Sequence, residues 1–374
     1  MIYLDSSATS PILPEVKDAM IDVLEKQSRG LLGNASSLYS ISISSKNLIT
    51  NARKQVAKLI NAKPEEIIFT SGGSESNNTV IRTFEGKTIA ISSIEHPSII
   101  RPAEKYASKL IYIPVDKTGK IILENIPKAN LISVMLANNE LGVLEPIQKI
   151  KTESSKIHTD ATQAIGKIPI DVKKLNIDYL TFSAHKIGGP LGIGILYVKK
   201  GAPLKPLVLG GEQESKRRAG TYNLPGIVGL GVASKYCYEQ KTWEKYEHKI
   251  RPLRNYLAEQ LMKKIPSAIL NTDLNNSLPN LLNLSFPAAE GESIQLYLDM
   301  DGIQVSTGSA CASNSLQPSH VLMAIHHDPE SAHNSIRFSL NLETTRQELD
   351  EVIKKLPPIV DKLQKISTIK IKEN

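Results

Sequence analysis

The fold is decided by the stretch Ile67-Ile68-Phe69-Thr70-Ser71-Gly72-Gly73-Ser74-Glu75-Ser76-Asn77, in which an apolar run leads into a glycine loop and then into the first turn of a helix. The glycines let the backbone approach an anion, and the hydroxyl groups and the helix N-terminus supply donors and a favourable dipole. The stretch is therefore interpreted as a strand, loop and helix that can hold a phosphate. It matches neither a Walker loop nor a dinucleotide fingerprint, and a plain helix-capping turn fits the same residues.

The sequence around this unit repeats the same alternation of short apolar runs, turns and helical stretches. This alternation is typical of β-α-β units and predicts a mainly parallel sheet with helices on its faces. In open sheets of this class, ligands bind where the carboxyl ends of the strands meet. We therefore expect an α/β fold with a mixed seven-stranded sheet, whose predicted strands are residues 67–70, 88–92, 110–115, 131–136, 157–160, 179–183 and 193–198.

Helices are predicted before this sheet, and a second structural unit is predicted after it. Apolar residues recur at helical spacing over residues 14–26 and 48–59. After about residue 231 the pattern changes to a long helical stretch at 243–265, a strand at 281–286, a helix near 293–300, a strand at 335–340 and a final helix from 344 that Pro357-Pro358 breaks. We predict a large domain over residues 14–250 and a smaller α+β domain formed by residues 1–13 and 251–374.

The composition excludes several classes of protein. With 41% hydrophobic and 22% charged residues, the 374-residue chain has enough apolar material for a substantial core. Its apolar runs are too short to span a membrane, and its first residues lack the pattern of a signal peptide, so we expect a cytoplasmic protein without membrane contact. The net charge of +7 is spread thinly, and the lysines of the C-terminal tail are interpreted as a solvated end rather than a nucleic-acid site.

Cysteine and histidine spacing argues against a disulfide framework and against a metal site. The chain has two cysteines, Cys237 and Cys311, and this small number favours a reducing compartment. The run His326-His327-Asp328 has no second ligand set in view and is interpreted as a loop. No metal is therefore expected.

A lysine stands at the end of one predicted strand, in the run Ser183-Ala184-His185-Lys186 before a glycine-proline turn. A lysine at the point where a buried strand runs into a loop is held fixed and partly desolvated, which suits Schiff-base chemistry. A lone loop lysine is far more often an ordinary solvated residue. The interpretation of Lys186 therefore depends on the side chains at the neighbouring strand ends.

Those neighbouring strand ends carry groups that fit a single cofactor. Asp160 is a carboxylate that needs a cation such as a protonated pyridine nitrogen, although a helix N-cap aspartate fits locally as well. His96 lies on a strand-to-helix loop, where it can stack on a ring and move protons, although a structural histidine is the commoner case. Asn139 belongs to an amide pair at a further strand end. With Lys186 and the phosphate loop, this set is typical of pyridoxal phosphate enzymes.

Short segments along most of the chain also carry a resemblance to a known family. They are residues 3–9, 33–37, 70–77, 95–96, 138–142, 160–163, 183–186, 306–311 and 333–340. In these segments the chain resembles the cysteine desulfurases of the class V aminotransferase superfamily, and its C-terminal segments are similar to those of the NifS/IscS branch. The resemblance implies the fold type I of pyridoxal 5'-phosphate enzymes and a homodimer with a shared active site.

The resemblance also assigns roles to individual residues. It implies a cofactor Schiff base on Lys186, with Asp160 paired to the ring nitrogen and His96 over the ring. Gln163 and Asn139 would lie near the oxygen substituent of the ring, and Arg337, with Asn139, would bind the substrate L-cysteine through its carboxylate. The residues implied for the phosphate are Gly73, Ser74, Ser183 and His185, with Thr221 reaching the phosphate of the neighbouring subunit.

The same resemblance makes Cys311 the residue that receives the sulfur. L-cysteine would give its sulfur to the Cys311 thiolate as a persulfide and leave as L-alanine, while Lys186 and His96 move protons. The small residues around Cys311 leave a loop free to move, whereas Cys237 fits a small buried residue of a helix.

Other functions stay open on the sequence alone. They are a selenocysteine lyase or another class V enzyme, and a non-catalytic scaffold for iron–sulfur assembly. The protein that accepts the sulfur, an iron–sulfur scaffold or a tRNA-thiolating enzyme, is not determined by the sequence.

Overall fold

A computed structural model of the chain describes residues 1–150, 152, 154–307, 318–326 and 332–368. Three predicted features lie outside the described residues: the segment with Cys311, the pair His327-Asp328, and the tail lysines Lys370 and Lys372. Within the described ranges, no helix combines the length and apolar character that a membrane crossing requires.

The strands form one large sheet and two small ones. They are β1 (Ile2–Tyr3), β2 (Ile67–Thr70), β3 (Thr88–Ser92), β4 (Lys109–Ile113), β5 (Leu131–Ser133), β6 (Lys156–Asp160), β7 (Tyr179–Ser183), β8 (Gly194–Val198), β9 (Ile269–Leu270), β10 (Leu281–Ser285), β11 (Ile303–Gln304) and β12 (Ser335–Ser339). The large sheet has the order β2-β8-β7-β6-β5-β3-β4 and is parallel except for β8, which runs antiparallel to β2 and β7. This confirms the predicted mixed, mainly parallel seven-stranded sheet.

The helices lie on both faces of this sheet and around the small ones. They are α1 (Pro14–Ser28), α2 (Ser40–Leu59), α3 (Gly73–Thr83), α4 (Pro97–Tyr106), α5 (Val172–Leu175), the single turn α6 (Gln213–Lys216), α7 (Leu224–Glu239), α8 (Thr242–Lys245), α9 (Arg251–Lys264), α10 (Gly291–Met300), α11 (His320–His326) and α12 (Arg346–Ile366).

Alternate residues of the strands supply the two faces of the large sheet. Phe69 belongs to the core that contains the buried residues of α1, α2 and α7, whereas Ile68 belongs to the core with Val80 and Ile81 of α3 and Ile99 of α4. A strand that is buried on both faces needs apolar residues at successive positions. This is why the strands were visible in the sequence as continuous apolar runs.

A separate core forms around the sheet β12-β10-β9, in which β10 is antiparallel to both neighbours. It contains buried residues of α9, α10 and α12 and also Leu4, and β1 pairs in parallel with β11 beside it. The N-terminal residues therefore pack with the C-terminal part of the chain. Tyr246 and Ile250 also belong to this core, and the domain boundaries themselves stay a prediction.

The prediction that Pro357-Pro358 breaks the last helix is wrong, because α12 runs without interruption through both prolines. An internal proline costs about 3 kcal/mol through a lost hydrogen bond and a clash with the preceding turn. The buried face of α12, with Val352, Leu356 and Val360 at 0–1% exposure, outweighs this cost. The predicted helical stretch at 243–265 is instead divided by a π-helical turn, Tyr246–Ile250, just before Pro252.

Candidate active site

A cavity of about 780 Å³ lies at the carboxyl ends of the large sheet, beside β12. Most of the predicted site residues line it: Gly73, Ser74, His96, Asn139, Asp160, Gln163, Ser183, His185, Lys186 and Arg337. Thr221 instead lines a separate cavity of about 140 Å³, and Cys311 is outside the described residues. The fold thus brings together predicted site residues that are up to 264 positions apart, from Gly73 to Arg337.

Lys186 lies in the 3-10 turn Ala184–Lys186 that directly follows β7. Its Nζ donates hydrogen bonds to the backbone oxygens of Ser7 at 2.5 Å and Ala8 at 2.7 Å. The hydroxyl of Ser10 donates to the backbone oxygen of Lys186 at 3.2 Å. The lysine is therefore held between β7 and the N-terminal segment, and two carbonyl dipoles face its amino group.

The loop before α3 forms a small polar cradle. The backbone N–H of Gly73 donates to the Ser183 hydroxyl at 2.6 Å. A Cβ at Gly73 would lie 3.0 Å from Ser183 Oγ and 3.3 Å from Thr162 Oγ1, so a larger residue would fill the cradle. The cradle stands at the N-terminus of α3, where the helix dipole favours an anion. Its hydroxyls and amides are the donor set that a phosphate requires.

Asp160 is the last residue of β6 and is 7% exposed. Its carboxylate accepts hydrogen bonds from Asn77 Nδ2 at 2.7 Å and from the backbone N–H of Thr162 at 2.8 Å. Two residues earlier in the same strand, His158 is buried between Ser133 and Thr181, and burial lowers its pKa to about 4. His158 is therefore neutral and does not neutralise the Asp160 carboxylate.

His96 caps the N-terminus of α4. Its Nδ1 accepts a hydrogen bond from the backbone N–H of Ser98 at 3.1 Å and lies 2.8 Å from the Ser98 hydroxyl. Because Nδ1 accepts, the proton of the neutral ring is on Nε2. Burial lowers the pKa of His96; the interaction with Asp160 opposes this shift, and the charge of Lys186 adds to it. The ring is thus neutral near pH 7, with its N–H at Nε2.

Arg337, in the middle of β12, is 3% exposed. Its Nη1 donates to the backbone oxygen of Asn139 at 2.9 Å, and its Nη2 pairs with the carboxylate of Asp5 at 2.8 Å. Its buried Nε has no hydrogen-bond partner among the described residues. The guanidinium therefore lies at the cavity wall with donor capacity left for a carboxylate.

Two further predicted residues contact the N-terminal segment. Gln163 Nε2 donates to the backbone oxygen of Ser7 at 3.0 Å, and its buried Oε1 has no partner in the described part of the chain. His185 Nδ1 lies 3.2 Å from the Thr9 hydroxyl. Burial and the charges of Lys186 and Lys167 lower the pKa of His185 to about 4, so this histidine is neutral and offers a hydrogen bond rather than a charge.

Sequence reasoning missed several cavity residues. Asn77 was visible only as part of the glycine loop, yet it holds Asp160. Glu140, beside the predicted Asn139, is 4% exposed and accepts a hydrogen bond from Ser319 at 2.5 Å. Burial raises the pKa of Glu140 to about 7. The signal for Glu140 in the sequence was an acidic residue just after an apolar run. Only the fold shows that Ser319 lies against this glutamate.

A buried lysine was also missed. Lys167 is 2% exposed and donates a hydrogen bond to the backbone oxygen of Gln163 at 3.0 Å. Burial lowers its pKa to about 7, and the charge of Lys186 acts in the same direction. Nothing in the local sequence Ala164-Ile165-Gly166-Lys167 distinguishes this lysine from a solvated one.

Cys237 is buried in α7, and burial raises the pKa of its thiol to about 11. Such a thiol stays protonated and unreactive at neutral pH. A search for metal ligands over the described ranges finds no group of three or more His, Cys, Asp or Glu side chains that could hold an ion.

Comparison with known proteins gives the chain its family. The model of the aminotransferase class-V family matches residues 2–352. A cysteine desulfurase IscS of Dictyoglomus turgidum is 43% identical over 99% of this chain and 97% of that protein. A cysteine desulfurase IscS 1 of Archaeoglobus fulgidus is 39% identical over 99% of both chains.

Solved structures agree with these sequence relatives. A structure titled NifS-like protein covers 96% of this chain and 99% of its own, with a TM-score of 0.87 and 36% identity. A NifS-like protein from Rickettsia africae has the same TM-score and coverage at 34% identity. With matches of this length in both sequence and structure, the chain belongs to the class V aminotransferase family and, within it, to the cysteine desulfurases.

Proposed function

We propose that this chain uses pyridoxal 5'-phosphate, held on Lys186, to convert L-cysteine to L-alanine and that it carries the released sulfur on Cys311 as a persulfide. The observation that carries the proposal is the single cavity in which Lys186, Asp160, His96 and Arg337 meet. These side chains supply an amine, an anion, a neutral histidine and a carboxylate-binding guanidinium. An amino acid and an aromatic cofactor need this combination.

The residues present fit the cofactor. The cradle at Gly73, with the Ser183 and Thr162 hydroxyls, suits its phosphate, and the carboxyl group of Asp160, held by Asn77 and Thr162, suits a ring nitrogen. The buried Gln163 Oε1 and Thr162 Oγ1 have no partners among the described residues, so the site has polar capacity that a ligand would use. When bound, pyridoxal phosphate supplies an electron sink for bonds to the substrate's α carbon.

The chain's own residues would bind the substrate and move protons. Arg337 would take the carboxylate of L-cysteine on the donors that Asn139 and Asp5 do not use. Lys186 would hold and return a proton at Nζ, where the carbonyls of Ser7 and Ala8 keep it oriented. His96 would donate from Nε2 as a neutral ring.

Cys311 would remove the sulfur. Its thiolate would form a bond to the sulfur of L-cysteine as the carbon–sulfur bond breaks. The electron pair would stay with the carbon, which then takes a proton, and L-alanine would leave. The described residue Pro318, just after the Cys311 segment, lines the cavity together with Ser319 and His320. This position supports an approach of the Cys311 segment to the substrate.

We also propose a homodimer in which Thr221 reaches the partner's phosphate site. Thr221 is exposed, and Arg218 near it pairs with Glu75 on α3 at 2.9 Å. Leu38, Leu191 and Leu209 are 98%, 73% and 81% exposed, so apolar side chains are available on the surface of the single chain. A second copy of the chain would cover such residues. We further propose that the protein is cytoplasmic. It would pass the sulfur to an acceptor protein, either an iron–sulfur scaffold or a tRNA-thiolating enzyme.

The test is to supply L-cysteine and a reductant and to measure L-alanine and sulfide. The wild type and Cys237→Ala are expected to form both products, whereas Cys311→Ala is expected to lose sulfide release. Cys237 is the matched control because its thiol is buried and its pKa is raised. Equal sulfide from Cys311→Ala would contradict the persulfide step.

The same assay separates the other functions. A non-catalytic scaffold would be favoured if the wild type formed no L-alanine and if, after reconstitution with pyridoxal phosphate, it showed no visible absorption band that depends on Lys186. Strong preference for L-selenocysteine over L-cysteine would favour a selenocysteine lyase. We expect turnover of L-cysteine and a visible absorption band that Lys186→Ala lacks.

A further inference from the structure

We propose that Asp5 is the positioning residue of the substrate-carboxylate clamp, because it holds the guanidinium of Arg337 from outside the cavity. The inference rests on the proposed function, in which Arg337 binds the carboxylate of L-cysteine. It gives a role to the N-terminal segment, which the strand-end chemistry did not explain.

Two hydrogen bonds hold the guanidinium of Arg337 in place. A guanidinium that is 3% exposed needs a counter-charge and fixed partners. Asp5 Oδ1 lies 2.8 Å from Nη2, and the other hydrogen bond of the group, 2.9 Å long, goes from Nη1 to the backbone oxygen of Asn139. Asp5 is thus the carboxylate that is bonded to Arg337 within the described residues. Its removal would leave the orientation of the guanidinium to one neutral acceptor.

Asp5 is itself held by backbone contacts to β12. Asp5 forms a parallel bridge with Ser339, which is two residues beyond Arg337 on the same strand. The N–H of Ser339 donates to the Leu4 oxygen at 2.7 Å, and the N–H of Ser7 donates to Ser339 Oγ at 2.9 Å. The backbone on both sides of Asp5 is therefore bound to the strand that carries Arg337. A carboxylate held in this way can fix the direction of a guanidinium.

Asp5 approaches Arg337 from outside the cavity. Arg337 lines the cavity together with Ser7 and Ala8, but Asp5 does not line it. Asp5 therefore contacts Arg337 and not a ligand in the cavity. It acts on substrate through the orientation of another residue, so its loss would weaken binding of the carboxylate in the ground state and the transition state alike. The expected effect is on KM and not on kcat.

A merely structural ion pair would behave differently. If the pair only tied the N-terminal segment to β12, its loss would lower stability and would affect all ligands of the cavity equally. If Asp5 positions the clamp, its loss would affect only ligands that have a carboxylate. Product and product analogue separate these cases, because L-alanine has the carboxylate and ethylamine is the same amine without it.

The experiment compares Asp5→Ala and Asp5→Asn with wild-type holoenzyme. The control is Asp301→Ala, which removes an exposed aspartate. Its Oδ1 lies 3.0 Å from Nζ of Lys355, a residue of α12, so this variant also breaks an ion pair in the C-terminal part of the chain. We expect Asp5→Ala to raise the KM for L-cysteine and the Kd for L-alanine about tenfold, as the loss of one charge-assisted hydrogen bond implies. The Kd for ethylamine, followed by visible absorbance, is expected to stay within about twofold. Asp5→Asn keeps an oxygen acceptor and is expected to change the L-alanine Kd by about threefold.

Two results would overturn the inference: an unchanged L-alanine Kd in Asp5→Ala, or equal weakening of L-alanine and ethylamine. Adding Asp5→Ala to Arg337→Ala should cause no further loss of L-alanine binding, and a further loss would contradict the inference as well. If Asp5→Ala does not fold, the L-alanine Kd of Asp5→Asn decides. A wild type that binds L-alanine but makes no sulfide would refute the proposed function. In that case the comparison of the L-alanine Kd between wild type and Asp5→Ala would still decide the role of Asp5.

Discussion

Replacing Glu140 by glutamine tests whether the cavity that Arg337 lines also holds an uncharged carboxyl group. Glu140 is 4% exposed, and burial raises its pKa from 4.5 to about 7, although the Ser319 hydrogen bond and the charge of Arg337 oppose this shift. Between pH 4.5 and 7 the folded protein therefore keeps a proton that the unfolded chain has released. A proton held only by the folded state makes stability fall as the pH rises.

The size of the effect follows from the two pKa values. The difference between 4.5 and about 7 corresponds to about 3 kcal/mol of lost stability once the pH is well above 7. About 1 kcal/mol of this is already lost at pH 5 and nearly all of it is lost at pH 8. Glutamine has no proton to release and keeps an oxygen that can accept from Ser319. Relative to wild type, Glu140→Gln is therefore expected to gain about 2 kcal/mol of stability between pH 5 and pH 8.

The assay is urea unfolding of the wild type, Glu140→Gln and Glu259→Gln at pH 5 and pH 8. Glu259 is exposed on α9 and serves as the control. Because the wild type and Glu140→Gln share every titrating group except Glu140, the difference between these two proteins isolates Glu140. A gain below about 0.5 kcal/mol would refute the reasoning. The second expected observation is weaker infrared absorbance of protonated carboxyl groups at pH 6 in Glu140→Gln than in wild type. Glu95 and Glu145, whose pKa values burial raises to about 8, contribute equally to both proteins.

The other predictions concern the phosphate cradle and a buried ion pair. Gly73→Ala is expected to weaken pyridoxal phosphate binding about tenfold, since its Cβ would approach Ser183 Oγ to 3.0 Å, and unchanged affinity in a visible-absorbance titration would contradict this. Arg53→Ala is expected to lower the free energy of unfolding by about 3 kcal/mol, because Glu214, whose side chain is 2% exposed, loses its bidentate partner. A loss below about 1 kcal/mol in urea unfolding would show that Glu214 finds another partner.

The sequence predicted the parts of the fold that depend on local pattern. The strands of the large sheet were visible because each buried strand, such as Ile67–Thr70, is apolar at successive positions. The order of the strands and the antiparallel direction of β8 were not predictable, since they depend on contacts between distant segments. The helix across Pro357 was missed for the same reason, because its stability comes from burial against the second core.

The site divides in a similar way. Lys186, Asp160 and His96 were predictable because each lies at or just after the carboxyl end of a strand, and the carboxyl ends of parallel strands share one edge of the sheet. Arg337 has no such signal; its place came from the resemblance, and its bond to Asp5 joins residues 332 positions apart. The pKa of Glu140 was equally inaccessible, since it depends on desolvation by residues from several elements.

The N-terminal segment explains how residues from two cores line one cavity. Lys186 follows β7 of the large sheet and Arg337 lies on β12 beside the second core, so the distance between the lysine and the arginine depends on how the cores are joined. Residues 4–8 make that join: Leu4 packs in the second core, Asp5 pairs with Arg337, and the carbonyls of Ser7 and Ala8 accept from Lys186. Ser6 and Ser7 are 0% and 2% exposed, so the close approach of these elements leaves no room for larger side chains. The segment therefore fixes the spacing of the site through its backbone, and its small residues are what allow it to do so.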